Sequence, residues 1–306
     1  MKNQSLFAAV ASMACVATPA LAQDRPTLQK TSLDGGSAIS PSSATATVSA
    51  SSVPQAMERL GGDDTSVDLS LGTLYGAGKF GTNSTTTIWS SALGARAHVK
   101  NLTLSASLPW MQIRSRSTIF TGIDATPVLV APNTSTTKRT AEGFGDLTLG
   151  AAYTIAPTNM PVEVELSARA KINTASNSSG LSSGANDYAV GADVSLPLGA
   201  VTPFASFTYR FLGNTDAFVL RDGPAASTGA SVALGREAFL VASYHYSSAA
   251  TRQVSAAHEL FAGASQRIAG TPLRLTGFVT TGLSRGAAAI SGGAALSIGL
   301  GSRAGL

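Results

Sequence analysis

Acidic and basic residues alternate with aliphatic ones in the stretch Val162 to Asn173. Glu163, Glu165, Arg169 and Lys171 occupy every other position against Val162, Val164, Leu166, Ala168, Ala170 and Ile172. Residues two apart share a face only if the segment is a β-strand, so the spacing predicts one charged face and one aliphatic face. The same parity places Asp68, Arg96, Asp146, Asp187, Asp193, Arg210, Glu259, Arg267 and Arg274 on the polar faces of their own segments. Carboxylates mixed with guanidinium and ammonium groups can form a polar constriction that a solute crosses. They can equally brace an interior as an ion-pair network, because buried charges must be paired. Seven acids against six bases give a lumen no strong preference for anions or cations.

Other chemistry is poorly supported by spacing. The three histidines, His98, His245 and His258, have no metal-ligand spacing, and Cys15 is the only cysteine, so no metal or other cofactor is expected. Gly76-Ala-Gly-Lys-Phe-Gly81 matches a dinucleotide fingerprint in letters, but no helix follows it, and a hairpin loop is the better reading. His245 lies between Ser243 and Ser247 on one parity, which raises a hydrolase. A lipase built on a barrel would expose its serine to lipid, the other face, so catalysis is not expected.

These faces must be held by strands, and twelve segments from Thr65 to Leu300 alternate in the required way. Their outward aliphatic positions include Leu69 and Leu71, Leu93 and Ala95, Leu102 and Leu104, Leu149 and Ala151, Leu166 and Ala168, Val190 and Val194, and Ala205 and Phe207. The series continues with Ala230 and Val232, Leu240 and Ala242, Leu260 and Ala262, Leu273 and Leu275, and Leu296 and Ile298. One alternating segment is weak evidence, whereas evenly spaced repetition points to an all-β, antiparallel, up-and-down transmembrane β-barrel. The connections support it. Those near 76–84, 115–142, 174–186, 213–226, 247–255 and 284–288 are long, and those near 99–101, 156–161, 197–202, 235–238 and 269–272 are short. Outer-membrane barrels segregate loops in this manner, with short turns and both termini in the periplasm. Under that topology Trp110, Tyr188, Tyr209, Phe211 and Tyr246 lie outward near the extracellular ends of their strands, and Tyr153 lies at the other end. This is the arrangement of a membrane-interface belt.

The address agrees. Residues 1–22 combine Lys2, an apolar run from Leu6 to Val16 and Ala20-Leu21-Ala22, and are read as a signal peptide. Residues 23–64, rich in Ser, Thr, Ala and Gly, are a disordered or plug-like periplasmic lead-in, and 65–306 form the barrel. Only 12% of residues are charged, with 21 Lys and Arg against 17 Asp and Glu and no basic run, which excludes a nucleic-acid partner. The expected partners are outer-membrane lipid, the barrel-assembly machinery and a small-molecule solute, in the outer membrane of a bacterial cell.

The turn near Pro157 brings Asp146 level with Lys171 or Asn173, and Asp187 level with Asn173 and near Arg210. An upper layer of Asp146, Arg169, Lys171, Asp187 and Arg210 is therefore expected, above a lower one of Arg96, Glu163, Glu165, Arg267 and Arg274. The long segment 115–142 carries the apolar run Pro127-Val-Leu-Val-Ala-Pro132, which either folds into the mouth or extends the hairpin outward.

At GFGDLTLGAAYTI and KINTASNSSGLSSGANDYAVGADVS the chain resembles bacterial outer-membrane proteins associated with the meta-pathway of phenol degradation. Gly143, Gly145 and Asp146 match a G-x-G-D strand start, Asn173-Thr174-Ala175 loosely matches a Pro-Thr-Gly-like step, and Gly184 with Asp187 matches a G-x-x-D start. Asn173 stands where that family has proline, and the chain ends without a terminal aromatic. The resemblance implies channel-like, passive uptake of small apolar or aromatic compounds. The alternatives from the residues alone are a sealed barrel with a structural or surface-interaction role and, third, a membrane-embedded lipid hydrolase.

Overall fold

The structure, a computed structural model, describes residues 65–301 apart from 124–126, 132–136, 158–160, 177–178, 217–218 and 236. The expected signal peptide and the 23–64 lead-in lie outside the described residues. Fifteen strands follow one another: β1 (Thr65–Gly78), β2 (Thr86–Val99), β3 (Leu102–Ser115), β4 (Thr118–Thr121), β5 (Pro127–Ala131), β6 (Arg139–Phe144), β7 (Leu147–Ile155) and β8 (Glu163–Ile172), then β9 (Asp187–Ser195), β10 (Val201–Phe211), β11 (Gly223–Leu234), β12 (Ala238–Ser247), β13 (Ala257–Arg267), β14 (Leu273–Gly282) and β15 (Ile290–Gly301). Each barrel strand pairs antiparallel with its neighbours, and β1 closes the sheet by pairing both β2 and β15, with Leu71 opposite Leu93 on one side and Leu296 on the other. β6 and β7 both pair β3 and occupy one position in the wall, so the closed barrel has twelve.

The faces are inverted relative to a water-soluble domain. Leu71, Leu93, Leu104, Leu166, Val190 and Leu240 are exposed, while Ser, Thr, Asp, Glu and Arg on the alternate positions are buried. An apolar outer band over a polar interior is what a hydrocarbon surround selects, and closure leaves no sheet edge unpaired in it.

Two features were not expected. The segment 115–142 contains the small β4–β5 hairpin and the strand β6, which extends the pairing of β3 outward, where the alternation showed no strand of its own and left open a loop folded into the mouth or an extension of the hairpin. Beyond Phe144 the outward positions of β6 are Thr140 and Glu142, above the apolar band, so the upper part of the strand alternates without a hydrophobic signal. The second feature is a bulge between β6 and β7. Trp110 pairs Phe144 and Ser107 pairs Thr148, so Leu108 and Pro109 face the three residues Gly145, Asp146 and Leu147. Proline has no N–H to give a ladder and is found in sheets at edges or bulges. Here the Gly145 N–H donates to the Pro109 carbonyl at 2.8 Å. Gly143 has φ of 143°, which favours glycine there, and a Cβ on Gly145 would meet the Met111 Cε at 2.6 Å and Pro109 Cγ at 3.1 Å, so the second glycine eases the close packing at the kink. The kink carries Asp146 to the inside.

Candidate functional site: a braced mouth above an aromatic wall

The inner end of the kink is the centre of an ion-pair network. Lys171 faces Asp187 across the β8–β9 ladder. Its Nζ lies 2.9 Å from Asp146 Oδ2 and 3.1 Å from Asp187 Oδ2, with all three side chains almost fully buried. Asp146 Oδ1 also accepts the backbone N–H groups of Thr174 at 3.1 Å and Ala175 at 3.0 Å, and its Oδ2 accepts the Ser182 hydroxyl. Asp187 Oδ1 accepts the Gly213 N–H at 2.9 Å. One lysine and two carboxylates thus tie the β8–β9 loop and the β10–β11 loop to the wall. These buried charges have their remaining lone pairs occupied, as a buried ion-pair network requires.

The loop held by this network carries an apolar side chain into a buried cluster. Leu181, in the β8–β9 loop, is completely buried and packs in a cluster with Phe80, Ile88, Met111, Ile113 and Ala288. Asn173 holds the same loop: its N–H donates to Asn186 Oδ1 at 2.8 Å, and its side-chain amide donates to the Gly184 carbonyl at 2.9 Å. A proline there could do neither. The segment after β4 also turns inward, because Ile123 is buried with Ala189, an inward residue of β9, and with Leu212 and Leu220. The side chains of the apolar run lie outside the described ones.

The remaining charges each have their own surroundings, with Arg169, Ala189 and Arg210 level on adjacent strands one inward step from Lys171 and Asp187. Arg210 donates from Nη2 to the Ser248 carbonyl at 2.9 Å and to its hydroxyl at 3.1 Å, fastening the β12–β13 loop. Arg169 is half-buried lower on β8, opposite Gly150 and Ala189. Arg96 sits opposite Asp68, both buried. Glu163 and Glu165 are buried opposite Ser195 and Asp193, and Thr154 donates to Glu165 at 3.3 Å. The Arg274 guanidinium lies 5.5 Å from the centre of the Phe239 ring. Arg267 belongs to the short-turn rim, where its Nε is 3.6 Å from Glu237 Oε2 and its side chain is 34% exposed. Of the outward aromatics, Trp110, Tyr153, Tyr188, Tyr209 and Phe211 are exposed and Tyr246 is half-buried against His258.

Sequence reasoning missed an aromatic wall. Phe204, Phe239, Phe261 and Phe278 occupy inward positions of β10, β12, β13 and β14. Phe261 and Phe278 stack at 5.8 Å between centroids with 16° between planes, and His245 meets the Phe261 ring edge-on at 5.9 Å. The rings lie on glycines: a Cβ on Gly293 would come within 2.7 Å of Phe278, and one on Gly263 within 3.0 Å of Phe261. The parity already assigned to those strands was sufficient to find them. Going round the barrel, five strand positions separate β8 from β14 in either direction, so Phe278 stands across the lumen from Ser167 and Arg169. These three residues, with Phe261, are half-exposed, whereas the charges nearer the long-loop rim are buried. Half-exposed inward side chains at mid-height thus include a polar pair on β8 and an aromatic pair on the opposite side of the barrel.

The Ser243 hydroxyl and His245 Nε2 are 2.7 Å apart, and His245 faces Glu259 across the ladder. The pair points into the lumen and is buried there, away from lipid.

No protein-family model and no curated protein matches the sequence. Among solved structures, the chain is similar to the CymD monoaromatic hydrocarbon channel, at 11% identity over 78% of this chain and 87% of that one with a TM-score of 0.40. It is similar to the translocator domain of the autotransporter NalP from Neisseria meningitidis, at 11% identity over 79% and 89% with a TM-score of 0.45. It is also similar to outer membrane phospholipase A from Escherichia coli, at 12% identity over 78% and 90% with a TM-score of 0.36. A channel, a translocator and a phospholipase share the barrel, so the fold by itself assigns none of these activities.

Proposed function

We propose that the chain is an outer-membrane channel for passive uptake of small apolar or aromatic compounds, with its long loops facing outward and its mouth shut in this conformation. One observation carries the reading: at mid-height the stacked, half-exposed Phe261 and Phe278 rings stand on the side of the barrel opposite Ser167 and Arg169. Ring faces and edges favour stacked or edge-on aromatic guests, while the hydroxyl wall offers hydrogen bonds to a polar substituent. The lumen needs no energy source for this, only transient release of Leu181 and its loop. The resemblance of the G-x-G-D segment to the phenol-degradation family points the same way. The outer-membrane address rests on the apolar band, the loop segregation and the leader read from residues 1–22.

A sealed barrel with a structural or surface-interaction role is the second reading. It is favoured by the near-complete burial of Lys171, Arg210 and Glu259, which a wide water-filled pore would hydrate. Planar-bilayer recording separates the two. Folded, heat-modifiable protein that never gives conductance steps, even when Leu181 is replaced by serine, excludes the channel.

A further inference from the structure

We infer that the mouth carries a proton-sensitive latch: one proton taken up by the Asp146–Lys171–Asp187 group weakens its hold on the β8–β9 and β10–β11 loops while the barrel wall stays folded. The latch works whatever crosses the lumen. All four oxygens of the two carboxylates are engaged. Asp146 Oδ1 accepts the Thr174 and Ala175 N–H groups, and its Oδ2 accepts from Lys171 Nζ and the Ser182 hydroxyl. Asp187 Oδ2 meets the same Nζ at 3.1 Å, and its Oδ1 accepts the Gly213 N–H. One ammonium serves two carboxylates, so the group holds one net negative charge and can take one proton without leaving Lys171 alone. On Asp146 Oδ2 that proton can turn to Ser182 Oγ, whose own proton then has Asn173 Oδ1 at 3.3 Å. On either aspartate it converts charge-assisted hydrogen bonds to a loop backbone into neutral ones of about half the strength. A hold that needs an ionised carboxylate is full at neutral pH and fades as pH falls through the carboxyl range.

The surrounding charges isolate the response. Arg169 and Arg210 stand one inward step below on β8 and β10, and guanidinium groups keep their charge. The next acid on β9, Asp193, is three inward steps lower. Residues 174–185 contain no charged side chain. β3 packs Met111 and Ile113 against Leu181, while Arg114 on β3 and Arg139 and Glu142 on β6 are exposed. On the β10–β11 loop Asp216, Arg221 and Asp222 are exposed, and Asp222 accepts the Leu212 N–H at 2.8 Å. The β12–β13 loop supplies an internal comparison, because it hangs from the Arg210 guanidinium through Ser248 and not from a carboxylate.

Full-length protein is folded in neutral detergent, and heat-modifiable migration after incubation at about pH 7 and about pH 4 establishes that the barrel persists. Amide exchange, corrected for its intrinsic pH dependence, is then followed residue by residue by NMR. Thr174 and Ala175 report a proton on Asp146, and Gly213 reports one on Asp187. At least one of these two reporters should exchange about tenfold faster at the lower pH, from the loss of charge assistance. Ser248 and the strand amides of Leu166 and Val190 should not change. Asp222→Asn should leave the response in place. Asp146→Asn with Lys171→Met and Asp187→Asn, which has no titratable group at the latch, should abolish it. A folded wild-type barrel whose reporter amides ignore pH, an equal acceleration at Ser248, or a response that survives in the triple variant overturns the latch. Should the triple variant not fold, the comparison of the reporters with Ser248 in the wild type decides alone.

Discussion

Lys171 Nζ lies 2.9 Å from Asp146 Oδ2, inside a barrel wall and almost out of reach of water. Asp146 reaches the lysine because the β6–β7 bulge turns it inward, and it holds the β8–β9 loop through two backbone N–H groups and one hydroxyl at the same time. The pair is therefore the joint between the wall and the stopper of the mouth.

Removing the cation alone leaves Asp146 and Asp187 buried without it. Lys171→Met should lower unfolding stability by about 3–5 kcal/mol, and the combined Asp146→Asn, Lys171→Met, Asp187→Asn protein should recover much of the loss. Urea unfolding in vesicles measures both. A Lys171→Met protein of unchanged stability but altered ion selectivity would instead place Lys171 on the solute path.

Leu181 is the most buried side chain of the mouth. Leu181→Ala should cost about 2–5 kcal/mol if the loop is rigidly packed, and less if the loop yields by opening. Leu181→Ser should raise the frequency of conductance steps in planar bilayers without changing barrel migration.

Asn173→Pro puts back the residue type of the resembling family. It removes the N–H that donates to Asn186 and the amide that donates to Gly184. Each lost hydrogen bond is worth about 1 kcal/mol, and proteolysis of the 173–186 loop in folded protein should quicken.

The aromatic wall depends on small neighbours. A Cβ on Gly263 meets Phe261 at 3.0 Å and Val241 Cγ1 at 3.3 Å. Gly263→Ala should destabilise the barrel by about 1–3 kcal/mol, and Val241→Ala in the same chain should relieve part of it, as thermal unfolding would record.

The strands, their outward faces and the segregation of loop lengths were legible in the sequence, because a membrane wall repeats a period of two with one face constrained to be apolar. The Asp146–Lys171–Asp187 grouping was legible too, since a hairpin turn fixes which residues stand level. Arg210 stands level with Arg169, and Arg267 opposite Arg274, but their partners, Ser248 and Glu237, were not legible, because loop conformation has no period to read. β6 escaped because above the apolar band no face must be greasy. The phenylalanines were overlooked for a different reason: attention to charge on the inward parity hid the rings that share it.

Solute flux separates an aromatic-selective channel from a sealed barrel. In proteoliposome swelling with phenol and a sugar of similar size, phenol should enter faster, and Leu181→Ser should enhance its entry. Phe261→Ala with Phe278→Ala should reduce this preference while the barrel still folds. Folded protein that passes neither solute after Leu181→Ser, or a preference indifferent to both phenylalanines, would contradict the channel.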